Sequence, residues 1–361
     1  VDHAIIFTIV ILLTFGIISL YSGSYHISHK LNLDVNYFFN RQLVFILLGA
    51  VLMIFFSMLE LRILKRVAVF SFVILFLLLI VTLISEPQLK GAKRWLSFFG
   101  VSIQISEIMK PFFIVLNAWF LSKKYNVKKS PNYRNSFLIY FLTISLILMQ
   151  PDFGQTILLS AVWGAQIFLS GIALKFIALL CVLAIMLALF AYLVFPHVRY
   201  RINIFTDDNE INYQVQKSLD AINSGGIWGR GISEGKVRNS LPDSHTDFIF
   251  AVIVEELGMI FAVFLIMLYF LLFYKIYRFV KNHPDDFIKL AALGLILMII
   301  FQVIINIGVN INMLPTKGIT LPFISYGGSS MISSMIMIGV LLCLTRRRYG
   351  QLHNREKYYI T

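Results

Sequence analysis

Residues 241–250, Leu-Pro-Asp-Ser-His-Thr-Asp-Phe-Ile-Phe, place His245 and Asp247 where a long polar loop turns into a strongly apolar run. A carboxylate at such a boundary has two uses open to it. It can take a proton from a substrate hydroxyl, or it can cap a helix that starts at Phe248. Glu255 lies about 12 Å further along that helix and some 80° around it, so it cannot touch Asp247, and any chemistry at Asp247 is that of a lone base. Other ionisable groups sit at the edges of apolar runs, where their cost makes them informative. These are Glu107 and Lys110, Asp152 within Gln150-Pro-Asp-Phe-Gly-Gln155, and the pair Glu255 and Glu256. Lys110 and Asp152 are expected to form an ion pair between helix ends, either as a staple or as a substrate contact.

Three amides, Gln302, Asn306 and Asn310, recur at i, i+4, i+8 and so share one helix face. Lipid offers them no hydrogen bonds, so they must face the bundle as interhelical glue or line a hydrated cavity. Residues 315–330 contain too many prolines and glycines for a continuous helix and predict an ordered loop. Gly327, Gly328, Ser329 and Ser330 open the next helix, where free N–H groups favour an anion. Lys93, Arg94, Arg230, Arg238 and Lys317 add positive charge that could neutralise a pyrophosphate or meet lipid headgroups. The glycine-rich stretch 225–235 matches no phosphate-cradle spacing, and a close-packed turn is the better reading.

The elements that must position these groups are membrane helices. Hydrophobic residues make up 58% of the 361-residue chain and its mean hydropathy is +0.81, above what a soluble domain can carry. At roughly 20 apolar residues per crossing, about ten spans are expected, near 4–22, 42–60, 66–85, 107–122, 135–150, 155–172, 174–195, 248–274, 288–311 and 327–345. The fold class is therefore an all-α polytopic membrane protein, a single integral domain over 1–361. The first span reads as a retained helix rather than a signal peptide. The net charge of +13 comes from short basic clusters between spans, including Arg62, Lys65 and Arg66, then Lys275, Arg278 and Lys281. That is a positive-inside pattern and not a nucleic-acid surface. It puts both termini in the cytoplasm and the loop 196–247 outside. Within that loop Ile211, Val215, Leu219 and Ile222 form an apolar stripe, predicting an amphipathic helix on the outer surface. Cys181 and Cys343 lie in apolar runs and offer no disulfide framework, and His26 and His29 read as a solvated loop rather than a metal site.

Taken together, Gly91-Ala-Lys-Arg-Trp-Leu96, Gln104-Ile-Ser-Glu107 with Lys110-Pro111, Pro151-Asp-Phe-Gly-Gln155, His245-Thr-Asp-Phe-Ile-Phe250 with Glu255-Glu256, and 315–330 resemble the signature blocks of the SEDS family (shape, elongation, division and sporulation). Residues 229–244, Leu321-Pro-Phe-Ile-Ser325 and the closing Leu344-Thr-Arg-Arg-Arg348 resemble its FtsW-like division branch more than its RodA-like branch. The resemblance implies a ten-helix peptidoglycan glycosyltransferase of the bacterial inner membrane. It would polymerise lipid II on the periplasmic face at the septum, beside a class B penicillin-binding protein and other divisome membrane proteins. It also implies that Asp247 is essential and that a divalent cation, Mg²⁺ or Mn²⁺, takes part through ligands the sequence does not name. In such a transfer a sugar hydroxyl needs a base, whereas the pyrophosphate leaving group needs cations rather than an acid. Asp247 is accordingly the catalytic candidate. The candidate substrate contacts are His245, Lys93, Arg94, Lys110, Asp152, Gln155, Arg230, Lys317, Ser325, Ser329 and Ser330. A lipid II transporter or a division scaffold would use the same membrane frame. Transporters, however, concentrate charge near the midplane of repeated, broken helices, and the polar groups here gather at the outer edge.

Overall fold

Each apolar stretch of the sequence folds as a helix, because in lipid a helix satisfies its own backbone groups. A computed structural model describes residues 3–84, 94–98, 101–122, 131–194, 199, 203, 213–281 and 283–346. The helices are α1 (His3–Lys30), α2 (Tyr37–Met58), α3 (Leu61–Ile84), α4 (Ile105–Leu121), α5 (Tyr133–Met149), α6 (Phe153–Leu169) and α7 (Leu174–Val194). After the loop region come α8 (Tyr213–Gly225), α9 (Ile249–Lys281), α10 (Asp286–Asn310) and α11 (Gly328–Thr345). Among the described residues six helices are long and apolar enough to cross a membrane, and α5 and α6 are shorter apolar helices. The chain is thus an α-helical polytopic membrane protein.

Two departures from the predicted elements matter. Trp95–Phe98 (β1) and Val101–Gln104 (β2) pair as an antiparallel hairpin, with Trp95 opposite Gln104, and β2 runs directly into α4. No apolar alternation announced this hairpin. α1 continues to Lys30, so His26 and His29 ride on its last turns rather than in a loop, with the His29 ring 5.2 Å from that of Tyr25.

The centre and the perimeter differ in burial. Inside the protein lie 83% of the membrane window of α11 and 61% of that of α10, against 22% for α2 and α3. α4 joins the centre, buried along almost its whole length and packed against α3, α6, α10 and α11. α11 and α2 meet through small residues: a Cβ on Gly339 would lie 2.6 Å from the Met53 carbonyl oxygen, so only glycine permits this approach. Cys343 is buried on α11 with its Sγ 3.0 Å from the Leu59 carbonyl oxygen, while the Cys181 side chain lies outside the described residues.

α8 is amphipathic as expected, but Ile211 lies outside the described residues and the buried stripe is Val215, Ser218, Ala221 and Gly225. The surface it covers is α9 of the protein itself. Small residues on that stripe allow close docking, and the Ser218 hydroxyl donates to the Asn310 carbonyl at 2.9 Å.

Candidate active site

α9 contains a break. Gly258 adopts φ 86° and ψ 170°, which interrupts the helical hydrogen bonds nine residues after Ile249. The glycine-rich loop repairs it. The N–H groups of Arg230 and Gly231 donate to the carbonyls of Glu255 and Glu256, both at 2.9 Å, and Met259 N–H donates to the Gly226 carbonyl at 3.0 Å. Carboxylates of the same helix complete the lock. Glu255 accepts from the N–H groups of Val237 and Arg238 at 2.8 and 2.9 Å. Glu256 pairs with the Arg238 guanidinium at 2.5 Å and accepts from the Ser22 hydroxyl of α1. The glycine-rich segment is therefore a close-packed turn that supplies backbone partners to a broken membrane helix.

At the outer end of α9 the arrangement is different. Helical geometry begins at Ile249, so Asp247 stands one residue further out than a cap at Phe248 requires. The amide that a cap would serve is met from α10, where Asn310 Oδ1 accepts from Ala251 N–H at 3.2 Å. The Asp247 main chain is gripped from α10. Its carbonyl accepts from Asn306 Nδ2 at 2.9 Å and from Asn310 Nδ2 at 3.1 Å. Asn306 Nδ2 also donates to the Ile319 carbonyl at 2.7 Å, drawing the loop 315–327 onto the same amides. Asn306 and Asn310 are thus glue that joins the Asp247 turn to this loop, whereas Gln302 Oε1 is buried without a hydrogen-bond partner among the described residues.

That loop brings the second carboxylate. A Cβ on Gly318 would lie 2.8 Å from Asp247 Oδ2, so the backbone at 318 abuts the half-buried carboxylate. The preceding residue, Lys317, reaches Asp152 Oδ1 at 3.4 Å, and its methylenes lie over Gly154, where a Cβ would come within 2.9 Å of Lys317 Cγ. Asp152 is buried and fully engaged. It accepts from Gln104 Nε2 at 3.0 Å and caps α6 through Gln155 N–H at 3.4 Å. Two adjacent residues, Lys317 and Gly318, therefore link Asp152 to Asp247.

The predicted Lys110–Asp152 pair does not form. Lys110 is wholly buried and pairs with Glu107 on its own helix at 2.7 Å, while Gln155 Nε2 donates to the same Glu107. An i, i+3 partner is always within reach of a lysine in a low-dielectric helix, whereas Asp152 sits at the helix end among loop groups. Lys110, Glu107 and Gln155 thus form a buried polar group next to Asp152.

His245 is also a packing residue. Its ring lies 4.7 Å from Phe38 and 5.6 Å from Tyr326, and its carbonyl accepts from Tyr326 N–H at 2.9 Å. Burial pulls its pKa down to about 4, opposed weakly by Asp243, so the imidazole is neutral at physiological pH. The three serines tie loops together. Ser325 Oγ accepts from Leu321 N–H and Ser329 Oγ from Gln104 N–H, both at 2.8 Å, and Ser330 bonds Thr320 at 2.6 Å. Arg94 fastens the end of α5 through the carbonyls of Gln150, at 3.0 Å, and Pro151. The Arg230 main chain is held at the level of Glu255, about 12 Å down the helix from Asp247. Lys93 lies outside the described residues. Of the residues singled out, the structure brings Asp247, Lys317 and Asp152 together, with Gln155 beside Asp152. Gln104 and the amides of Asn306 and Asn310 complete the site; the stripe was visible in the sequence, but its partner was not.

Among the described residues no group of three or more His, Cys, Asp or Glu side chains is placed to hold a metal ion. Asp152 and Glu107 already have cationic partners. A protein-only cation cage does not fit these residues.

Residues 3–350 match the family model of the FtsW, RodA and SpoVE cell cycle proteins. The chain is similar to the probable peptidoglycan glycosyltransferase FtsW of Caulobacter vibrioides, 38% identical over 94% of this chain and 88% of that protein. It is also similar to stage V sporulation protein E of Bacillus subtilis, 32% identical over 96% and 97% of the two chains. Among solved structures, a chain of a peptidoglycan synthase complex superposes with a TM-score of 0.80 at 26% identity, over 97% of this chain and 98% of that one. The rod shape determining protein RodA of Thermus thermophilus gives a TM-score of 0.71 at 26% identity, over 97% and 98%. The chain belongs to the FtsW/RodA/SpoVE family of cell cycle proteins.

Proposed function

We propose that the chain is a peptidoglycan glycosyltransferase of cell division, in which Asp247 is the general base for polymerising lipid II. One observation carries the site assignment: the half-buried Asp247 is gripped through its carbonyl by Asn306 and Asn310 while its carboxylate abuts Gly318, the residue after Lys317. This grip on the main chain fixes the direction in which the carboxylate leaves the backbone. In the transfer, the sugar 4-hydroxyl loses its proton to Asp247 as its oxygen bonds to the anomeric carbon of the lipid-linked donor. The bond from that carbon to the pyrophosphate breaks, and the configuration inverts from α to β. The pyrophosphate leaves as an anion, for which Lys317, the residue before Gly318, is the proposed partner. A positioned base of this kind contributes about 10²–10⁴-fold.

The frame for this reading is a ten-span bundle in the inner membrane. Both termini are cytoplasmic, and the loop 196–247 and Asp247 are on the periplasmic face at the septum. Arg62, Lys65, Arg66, Lys275, Arg278 and Lys281 at one end of the bundle support that orientation. A class B penicillin-binding protein and other divisome membrane proteins are the proposed partners. The divalent cation is proposed to arrive on the pyrophosphate of the substrate, a mode that needs few protein ligands.

Purified Asp247→Asn protein given lipid II and Mg²⁺ or Mn²⁺ is expected to make no glycan strands while keeping the thermal transition of the wild type. Polymer at near wild-type rate would remove Asp247 as the base. Movement of lipid II across vesicles without polymer from the wild type would replace the glycosyltransferase with a transporter.

A further inference from the structure

The loop that repairs the break in α9 carries the most exposed large apolar side chain in its neighbourhood. Trp228 is 82% exposed, Ile227 63% and Ile232 55%. These residues continue a surface that α9 itself presents, since Ile260 N–H donates to the Ile227 carbonyl and Met259, Ile260 and Phe261 are all exposed. A tryptophan so exposed needs a partner, and its depth says which.

α9 is two helical pieces joined at the Gly258 break, and the piece from there to Lys281, at 1.5 Å per residue, is about 35 Å long, enough for the hydrocarbon thickness of about 30 Å. Its inner end is marked by Lys275, Arg278 and Lys281. Counting outward from Lys275, the helix reaches the break after about 17 residues, close to the roughly 20 that a crossing takes, so the outer hydrocarbon edge falls near Gly258. The Gly258 break and the loop bonded to it then lie at that edge, the level where tryptophan is enriched in membrane proteins. The main chain of the loop can tolerate this level because Gly226, Ile227, Arg230 and Gly231 are hydrogen-bonded to α9. Arg230, Glu234 and Lys236 are exposed beside the apolar tip, as groups at headgroup height should be.

We infer that Ile227, Trp228 and Ile232 form an anchor seated in the outer-leaflet interface of the phospholipid bilayer. Because the loop is bonded to the break in α9, the anchor fixes the height of that helix at its outer end. The inference rests on the membrane reading of α9 and its orientation, not on glycosyl transfer, and its test reads no activity.

The test uses the full chain in liposomes of phosphatidylcholine carrying bromines either high on the acyl chains or near their ends. The emission of Trp228→Phe protein is subtracted from that of the wild type, which has four tryptophans. The Trp228 component is expected to be blue-shifted, quenched more strongly by the shallow bromines than by the deep ones, and shielded from iodide in the water. Quenching by iodide with no effect of bromolipid would put the loop in water and overturn the anchor. Resistance to both quenchers would mean that protein, a partner or a second copy, covers the patch, and would overturn it too. Should Trp228→Phe fail to fold, Ile232→Cys carrying an environment-sensitive dye, read against wild type treated alike, must show the same order of quenching.

Discussion

The two ends of the outer third of α9 use the same residue types for opposite purposes. At the Gly258 break, Glu255 and Glu256 are saturated by main-chain N–H groups, a guanidinium and a hydroxyl, and the nearby glycines serve close packing. At the Asp247 turn the gripping bonds fall on the main-chain carbonyl, and the glycine of the neighbouring loop leaves room for the carboxylate. At the break the side-chain oxygens of the glutamates tie loop to helix, whereas at the Asp247 turn main-chain bonds from α10 set where the side chain starts.

The comparison breaks most sharply under substitution. Asp247→Asn should lower strand synthesis by about 10²–10⁴-fold with no change in melting temperature. Arg238→Ala should do the reverse. It leaves Glu256 buried without its cation, at a cost of about 3–5 kcal/mol, which lowers the melting temperature in detergent while activity per folded molecule is largely kept.

Gly318→Ala tests the fit between loop and carboxylate. The new Cβ would meet Asp247 Oδ2 at 2.8 Å, and a shift of about 1 Å at a reacting group costs about 10²-fold, so kcat should fall much more than KM changes. Asn306→Ala and Asn310→Ala each remove a bond to a buried carbonyl, worth about 1–3 kcal/mol. They should slow polymerisation by about tenfold or more through kcat, and an unchanged rate would separate the amide stripe from the site.

The smallest effect concerns His245, whose pKa is lowered in the fold from the usual 6.5 to about 4. Above pH 6.5 both folded and unfolded chains hold it neutral and its contribution is complete. As the pH falls from 6.5 to about 4 the unfolded chain takes up a proton that the folded one refuses, so stability drops, by on the order of 3 kcal/mol in all. Acid melting curves of wild type and His245→Phe should diverge in that window, with the variant less sensitive to acid. The pH–rate profile should carry no His245 step between pH 6 and 8.

What the sequence made legible was what hydropathy and local spacing control. The apolar stretches became helices, the amide face of α10 pointed inward, and the polar-to-apolar boundary located Asp247. What it concealed were pairings between distant segments. Lys110 chose Glu107 three residues away because both lie on one buried helix, and Asp152 chose Lys317 from a loop that no spacing connects to it. The hairpin of β1 and β2 is too short for its alternation to stand out. The serines of 325–330 have the composition of an anion site, yet loop closure claimed their hydroxyls. Asp247 looked like a cap because helix starts are ambiguous by a residue, and the partner that replaced it, Asn310, comes from another helix.

The most direct measurement is lipid II polymerisation per folded molecule by Asp247→Asn and Arg238→Ala side by side, each normalised by its thermal transition. The account predicts that Asp247→Asn is folded and inactive and that Arg238→Ala is destabilised but active. Strand synthesis near the wild-type rate by folded Asp247→Asn protein would contradict it.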